Sequence, residues 1–224
     1  MHPAFSVIFF TVTSGAGYGL IALLCLFNFL YFGMLFDKTN FLIFSGISAA
    51  LFTMGLISST FHLANPKNAW RAFMRFRTSW LAREGLLAIL FYPTLFLYLI
   101  LIYFDFYKEY FLIMQLYSVY IFFFAILIIY CTGMIYACLK TIPQWNTIWT
   151  PINYITIGVY LGSLIFFLLL SINEYNISPY KPILLIVITL AFITKFTYYL
   201  SIKGPRHGIG QATNAAIKLK NTNV

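Results

Sequence analysis

Residues 111–136 read FLIMQLYSVYIFFFAILIIYCTGMIY, a run without one Asp, Glu, Lys or Arg. A bilayer core about 30 Å thick is crossed by roughly 20 apolar residues in α-helix, and this run exceeds that length. Hydrocarbon offers the backbone no hydrogen-bond partners, so a segment this apolar closes its own ladder as a helix. Five comparable runs lie around it, at Val7 to Phe36, Phe41 to His62, Leu81 to Phe104, Ile152 to Ile172 and Ile183 to Ile202. The pattern predicts an all-α fold, a polytopic transmembrane helix bundle of about six spans. It fills residues 1–203 as one domain, followed by a polar, basic tail over 204–224.

Composition agrees. Of 224 residues 62% are apolar, 21% aromatic and 8% charged, against roughly 25% charged in a soluble domain. Such a chain cannot cover its surface in water, so its solvent is the lipid bilayer. Lys and Arg number 14 against 5 Asp and Glu, for a net charge of +9. In a soluble protein that excess would suggest nucleic acid; here it reports topology, and no nucleic-acid partner is expected. The first run lacks a basic leader and is too long for a signal-peptide core, so it is expected to remain as a span.

With six spans, the termini share one face with the second and fourth connectors. That face collects Lys67, Arg71, Arg75, Arg77, Arg83, Lys140, Lys203, Arg206, Lys218 and Lys220, and the other has only Lys38, Lys108 and Lys181. The positive-inside rule makes the first face cytoplasmic, with both termini inside a bacterial inner membrane. Cys25, Cys131 and Cys138 form no close pair and suggest buried small side chains rather than a disulfide or metal motif. Gly15 and Gly19 form a GxxxG step, which reads either as a helix-packing face or as a cofactor contact. Lys195, about two turns from the polar tail, is expected to snorkel toward the headgroups.

The connector after the second run carries Asn65 and Pro66, an N-cap and first-turn signature. A short helix is expected from there, with Lys67, Arg71 and Arg75 on one face and Trp70, Phe73 and Met74 on another. Such a basic amphipathic helix rests on anionic headgroups or docks a partner, and the residues alone leave both open.

Histidines are His2, His62 and His207, and only His62 lies at the edge of a span. One histidine cannot supply a bis-histidine haem, and no close cysteine spacing offers an iron–sulfur cluster, so neither is expected in this chain. No catalytic or metal-ligating residue is assigned. His62 ends the second run and Glu84 begins the third, which brings both to one bilayer face. Oxidising a quinol releases two protons with two electrons, and an imidazole and a carboxylate at an interface suit that task. Against this stands a plainer reading: His62 bonded to backbone or water, and Glu84 paired with Arg83.

Several stretches carry a family resemblance: Ser59 to Phe73 (STFHLANPKNAWRAF), Arg77 to Glu84 (RTSWLARE), Thr132 to Pro151 (TGMIYACLKTIPQWNTIWTP) and Pro3 to Leu20 (PAFSVIFFTVTSGAGYGL). Together they resemble the anchor subunit of bacterial dimethyl sulfoxide reductase over nearly the whole chain. The histidine connector and the segment Tyr136-Ala-x-Leu-Lys-x-Ile-Pro-x-Trp are the most specific. The resemblance implies a subunit that binds menaquinol as substrate and hands its electrons to an iron–sulfur subunit, which feeds a molybdopterin catalytic subunit in anaerobic respiration. It implies His62 and Glu84 as quinol-site residues, and a connector bearing Lys67, Trp70, Arg71, Arg75 and Arg77 for partner docking. Family members generally continue past the segment matching Gly204 to Asn214 with about two further spans, whereas this sequence ends at Val224.

Two other functions stand beside this one. A membrane scaffold would anchor soluble partners with no quinol site of its own. A small-molecule transporter would place ionisable residues or broken helices at mid-membrane and often show an internal repeat; these runs carry almost no charge at depth, and no repeat is evident.

Overall fold

In the computed structural model each apolar run closes its own backbone ladder, as hydrocarbon demands. The helices are α1 (Phe5–Leu30), α2 (Lys38–Thr60), α3 (Trp80–Tyr103), α4 (Phe111–Ala137), α5 (Trp149–Ile172) and α6 (Lys181–Ser201). The structure describes residues 5–30, 37–61 and 74–202, and no strand occurs among them. All six helices are long and apolar enough to cross a membrane. The six runs expected from sequence are therefore the six helices, with ends displaced by a few residues. The tail at 204–224 lies outside the described residues.

Helix direction alternates. Glu84 near the start of α3 meets Thr132 near the end of α4, and Tyr98 near the end of α3 meets Ser118 near the start of α4. Asn153 at the start of α5 reaches the carbonyl of Thr194 late in α6. One end of the bundle thus gathers the start of α1, the second and fourth connectors and the end of α6; we call it the connector end. At the far end, Lys38 bonds Asp105 at 2.8 Å and the carbonyl of Tyr103 at 3.0 Å. That hydrogen bond and the ammonium charge hold the Asp105 carboxyl below its usual range.

Helix α1 is the hub. It packs on α2, α4 and α5, whereas α6 leans on α5 and is the least buried helix. Close approach depends on missing side chains: a Cβ at Gly19 would stand 2.1 Å from the carbonyl oxygen of Gly158, and one at Gly162 would stand 2.3 Å from the backbone of Gly19. The α1 glycine step therefore meets a second one, Gly158 and Gly162, on α5, which supports the packing-face reading. Gly19→Ala is expected to push α1 off α5 and cost on the order of 1–3 kcal/mol, the scale of an overpacked core. It would be read as a lower thermal unfolding midpoint in detergent; an unchanged midpoint would mean that the two backbones are not this close.

Aromatic packing then fixes what α1 presents to its neighbours. Tyr18 stacks on Phe52 at 4.7 Å and meets Phe91 edge-on at 5.5 Å. In the far half, buried polar groups largely satisfy one another across helices: Asn28 Nδ2 donates to Tyr98 at 2.9 Å and to Ser118 at 3.1 Å. Buried polar atoms without a partner occur in both halves: Ser45 Oγ and Gln115 Oε1 in the far half, the Tyr18 hydroxyl and Asn153 Oδ1 in the connector half.

Candidate functional site

Helix α3 begins where the second connector ends. Ser79 caps it, its hydroxyl accepting from the Ala82 amide at 3.4 Å. Arg83 turns back onto that connector, donating to the carbonyls of Phe76 at 2.9 Å and Arg77 at 2.6 Å, with its guanidinium 4.2 Å from the Trp80 ring centre. Glu84 points the other way, into the bundle, where it is 4% exposed and accepts a hydrogen bond from the Thr132 hydroxyl on α4. The expected pairing of Glu84 with Arg83 is therefore wrong. Consecutive helix positions diverge by about 100°, so one side chain serves the connector and the other the core. The sole ion pair among the described residues is Lys38 with Asp105.

Thr132 also lines a cavity of about 320 Å³ in the connector half, between α1, α4, α5 and α6. Its size lies at the lower end of the roughly 300–1,000 Å³ of small-molecule sites. One wall is aromatic: Tyr136 stacks on Tyr154 at 5.3 Å and meets Trp145 edge-on at 5.4 Å. The fourth connector closes that side, held by the Thr150 hydroxyl to the Trp145 carbonyl at 2.7 Å and by Tyr198 to the Gln144 carbonyl at 3.2 Å. Trp145 and Tyr136 belong to the sequence segment most specific to the family resemblance, so that segment builds a cavity wall.

Two polar atoms of side chains on this lining have no hydrogen-bond partner although buried, the Tyr18 hydroxyl and Asn153 Oδ1. Tyr18 is 2% exposed and Asn153 6%. Leaving such atoms unpaired costs about 1–3 kcal/mol each. Lys195 lines the same cavity, its ammonium 5.2 Å from the ring centres of both Tyr198 and Tyr199. The sequence reading of Lys195, a snorkelling side chain, does not include a place on this lining.

Chemically, the arrangement is an apolar and aromatic slot with a few convergent polar groups. The Thr132 hydroxyl has its proton directed at Glu84, with the Ile128 carbonyl at 3.1 Å as the alternative acceptor, and its oxygen keeps the capacity to accept a further hydrogen bond. A ligand hydroxyl there would be linked to a carboxylate through one intervening hydroxyl, the geometry of a short proton relay.

Of the residues expected from sequence, Glu84 lies beside this cavity. Arg75 and Arg77 are exposed at the connector end, Arg75 in a 3-10 turn with Met74. His62, Lys67, Trp70 and Arg71, and most of the amphipathic helix expected from Asn65, lie outside the described residues. Phe61, immediately before His62, is exposed and caps α2 at the connector end. Sequence reasoning missed Thr132, Asn153 and Tyr18. Cys25 and Cys131 are buried as expected, whereas Cys138 is exposed at the end of α4.

The family model described as DMSO reductase anchor subunit (DmsC) matches residues 1–216 of this chain. Among curated proteins the chain is similar to a sulfite dehydrogenase subunit of Allochromatium vinosum, with 31% identity over 196 residues. The match covers 80% of this chain and 58% of that protein, so the chain spans little more than half the length of its relative. No solved structure matches.

Proposed function

Because the chain belongs to the DMSO reductase anchor subunit family, we propose that it anchors a molybdoenzyme complex in the bacterial inner membrane and oxidises menaquinol in the cavity beside Glu84. Electrons pass to an iron–sulfur partner and on to a molybdopterin subunit that reduces a dimethyl sulfoxide-type substrate. The observation that carries this reading is a head-group-sized cavity whose lining residue Thr132 is hydrogen-bonded to a buried carboxylate. A lipid-soluble quinol needs an apolar slot for its ring, hydrogen-bond partners for two para hydroxyls and a path for two protons. Thr132 and Glu84 form the path on the α4 side; Tyr18 and Asn153 line the slot from α1 and α5. His62, which the resemblance makes a quinol-site residue, is next in sequence to Phe61, the cap of α2 at that end of the bundle. The exposed Arg75 and Arg77 belong to the docking surface for the partner, and the positive-inside rule makes that end cytoplasmic.

The relative's name supports a second reading for direction alone. A dehydrogenase complex would run electrons from its oxidisable substrate toward the quinone, with protons entering by the same relay. Gentle detergent purification of the tagged chain, followed by identification of its companions, tests the assignment. Recovery of an iron–sulfur protein with a molybdoenzyme is expected, and the substrate of that enzyme fixes the direction. Recovery of the chain without either would overturn the assembly.

A further inference from the structure

We propose that the fourth connector, residues 138–148, is the surface on which the electron-accepting partner docks, with Trp145 at the point where electrons leave the cavity. The inference rests on the proposed quinol site and adds to it the place of electron exit. The cavity lining comes from α1, α4, α5 and α6 with one exception: Trp145 belongs to no helix and lies in the connector between α4 and α5. Helical walls stand within the bilayer, where a soluble partner does not reach. Trp145 is also 38% exposed, so one side chain belongs both to the cavity wall and to the outside of the protein. The chain offers no ligand set for a haem or a cluster, having one histidine at a span edge and no close cysteine pair. Two electrons leaving a quinol here therefore pass straight to the iron–sulfur centre of the partner, while the two protons leave by way of the protein. Electron transfer through protein falls off exponentially with distance, so that centre must stand against a cavity wall. The indole is not itself oxidised; it is the layer of protein between head group and partner.

The connector is a fixed surface. The Trp145 amide donates to the Ile142 carbonyl at 3.0 Å, the Thr147 amide to the Trp145 carbonyl at 2.8 Å and Asn146 Nδ2 to the Ala137 carbonyl at 2.5 Å. Bonds from Thr150 on α5 and Tyr198 on α6 hold it from the other side. Outside the spans it exposes Ile148 (75%) and Leu139 (38%) with Trp145, beside the polar Lys140 and Asn146. Exposed apolar side chains around an aromatic anchor, with a polar rim, are the make-up of a protein interface. A segment that only rested on anionic headgroups would carry several cations, and Lys140 is the single charge among residues 138–148. The second connector carries Arg75 and Arg77, but none of its described residues lines the cavity. It can hold the partner without being the exit.

The test uses the purified complex, with its cluster-bearing companion identified by iron and sulfide content. A benzophenone amino acid is placed at Ile148, at Leu139, at Met74 of the second connector and at Phe104, exposed at the far end. Irradiation is expected to join the companion to the chain from Ile148 and Leu139 and not from Phe104. Ile148→Asp is expected to slow reduction of the companion's clusters by a short-chain 1,4-naphthoquinol about tenfold or more, the scale of losing an interface anchor. Equilibrium binding of the same naphthoquinol to the chain in lipid nanodiscs should keep its affinity, because Ile148 is not on the lining. Adducts with lipid alone from Ile148 and Leu139, or adducts with the companion from Met74 only, would overturn the proposal and leave the quinol site standing. An unchanged rate of cluster reduction in Ile148→Asp, or a loss of naphthoquinol affinity that accounts for the slower rate, would also overturn it. If the wild-type chain does not bind the naphthoquinol, the quinol site itself fails and the inference goes with it.

Discussion

Replacing Glu84 by Gln is expected to lower quinol-dependent turnover by about 10²-fold or more, the usual scale for losing a general base. The substitution keeps the shape of the side chain, and Gln can still accept the hydrogen bond that Thr132 donates to Glu84. What it removes is the capacity to take the proton. Arg83, which makes its bonds to the connector carbonyls of Phe76 and Arg77, should be unaffected, and insertion should be normal. Because Thr132 stands between the carboxylate and the cavity, Thr132→Val should cut turnover as well. The double variant should be little worse than the weaker single one, since two members of one relay are non-additive. Independent effects that multiply would mean that proton transfer does not run through this hydroxyl. Turnover in Glu84→Gln equal to wild type would remove Glu84 from the mechanism.

His62→Ala is expected to abolish quinol-dependent reduction, a loss of roughly 10²- to 10⁴-fold, while activity with an artificial donor to the soluble subunits survives. The basis is chemical and familial. An imidazole titrates near neutral pH and so suits a proton that must leave the site for water, and the family resemblance of the sequence around it implies that role. One residue beyond the end of a span scarcely changes the hydropathy that drives insertion, so the protein should assemble. Loss of both activities together would indicate failed assembly rather than a lost proton acceptor. Retention of quinol turnover would show that the two protons leave without this residue.

The spans were legible because membrane length is written into sequence as runs of about 20 apolar residues, and residues 111–136 alone decide the class. The glycine step was legible too, as small residues at a helix spacing of four. Glu84 could be singled out because a carboxylate at the start of a span is rare, but its partner could not. Pairing it with Arg83 treats adjacency in sequence as adjacency in space, when successive helix positions point apart. Tyr18, Thr132 and Asn153 come from three different helices and meet only through the crossing of α1 with α4 and α5, which spacing does not encode. Asn153 did leave a signal: an amide inside an otherwise apolar run must find interhelical partners, and such residues mark interfaces or sites. The distance of Lys195 from the tail says how far its side chain can reach but not which lining it joins.

The central claim is that the quinol head group occupies the cavity beside Glu84, and photolabelling tests it most directly. A photoreactive 1,4-naphthoquinone would be irradiated with the membrane-embedded complex, and the labelled residues mapped by peptide mass spectrometry. Label is expected on Tyr18, Thr132 or Asn153, displaced by excess menaquinol. Label confined to lipid-facing positions such as Phe192 or Leu200, or label that menaquinol does not displace, would contradict it.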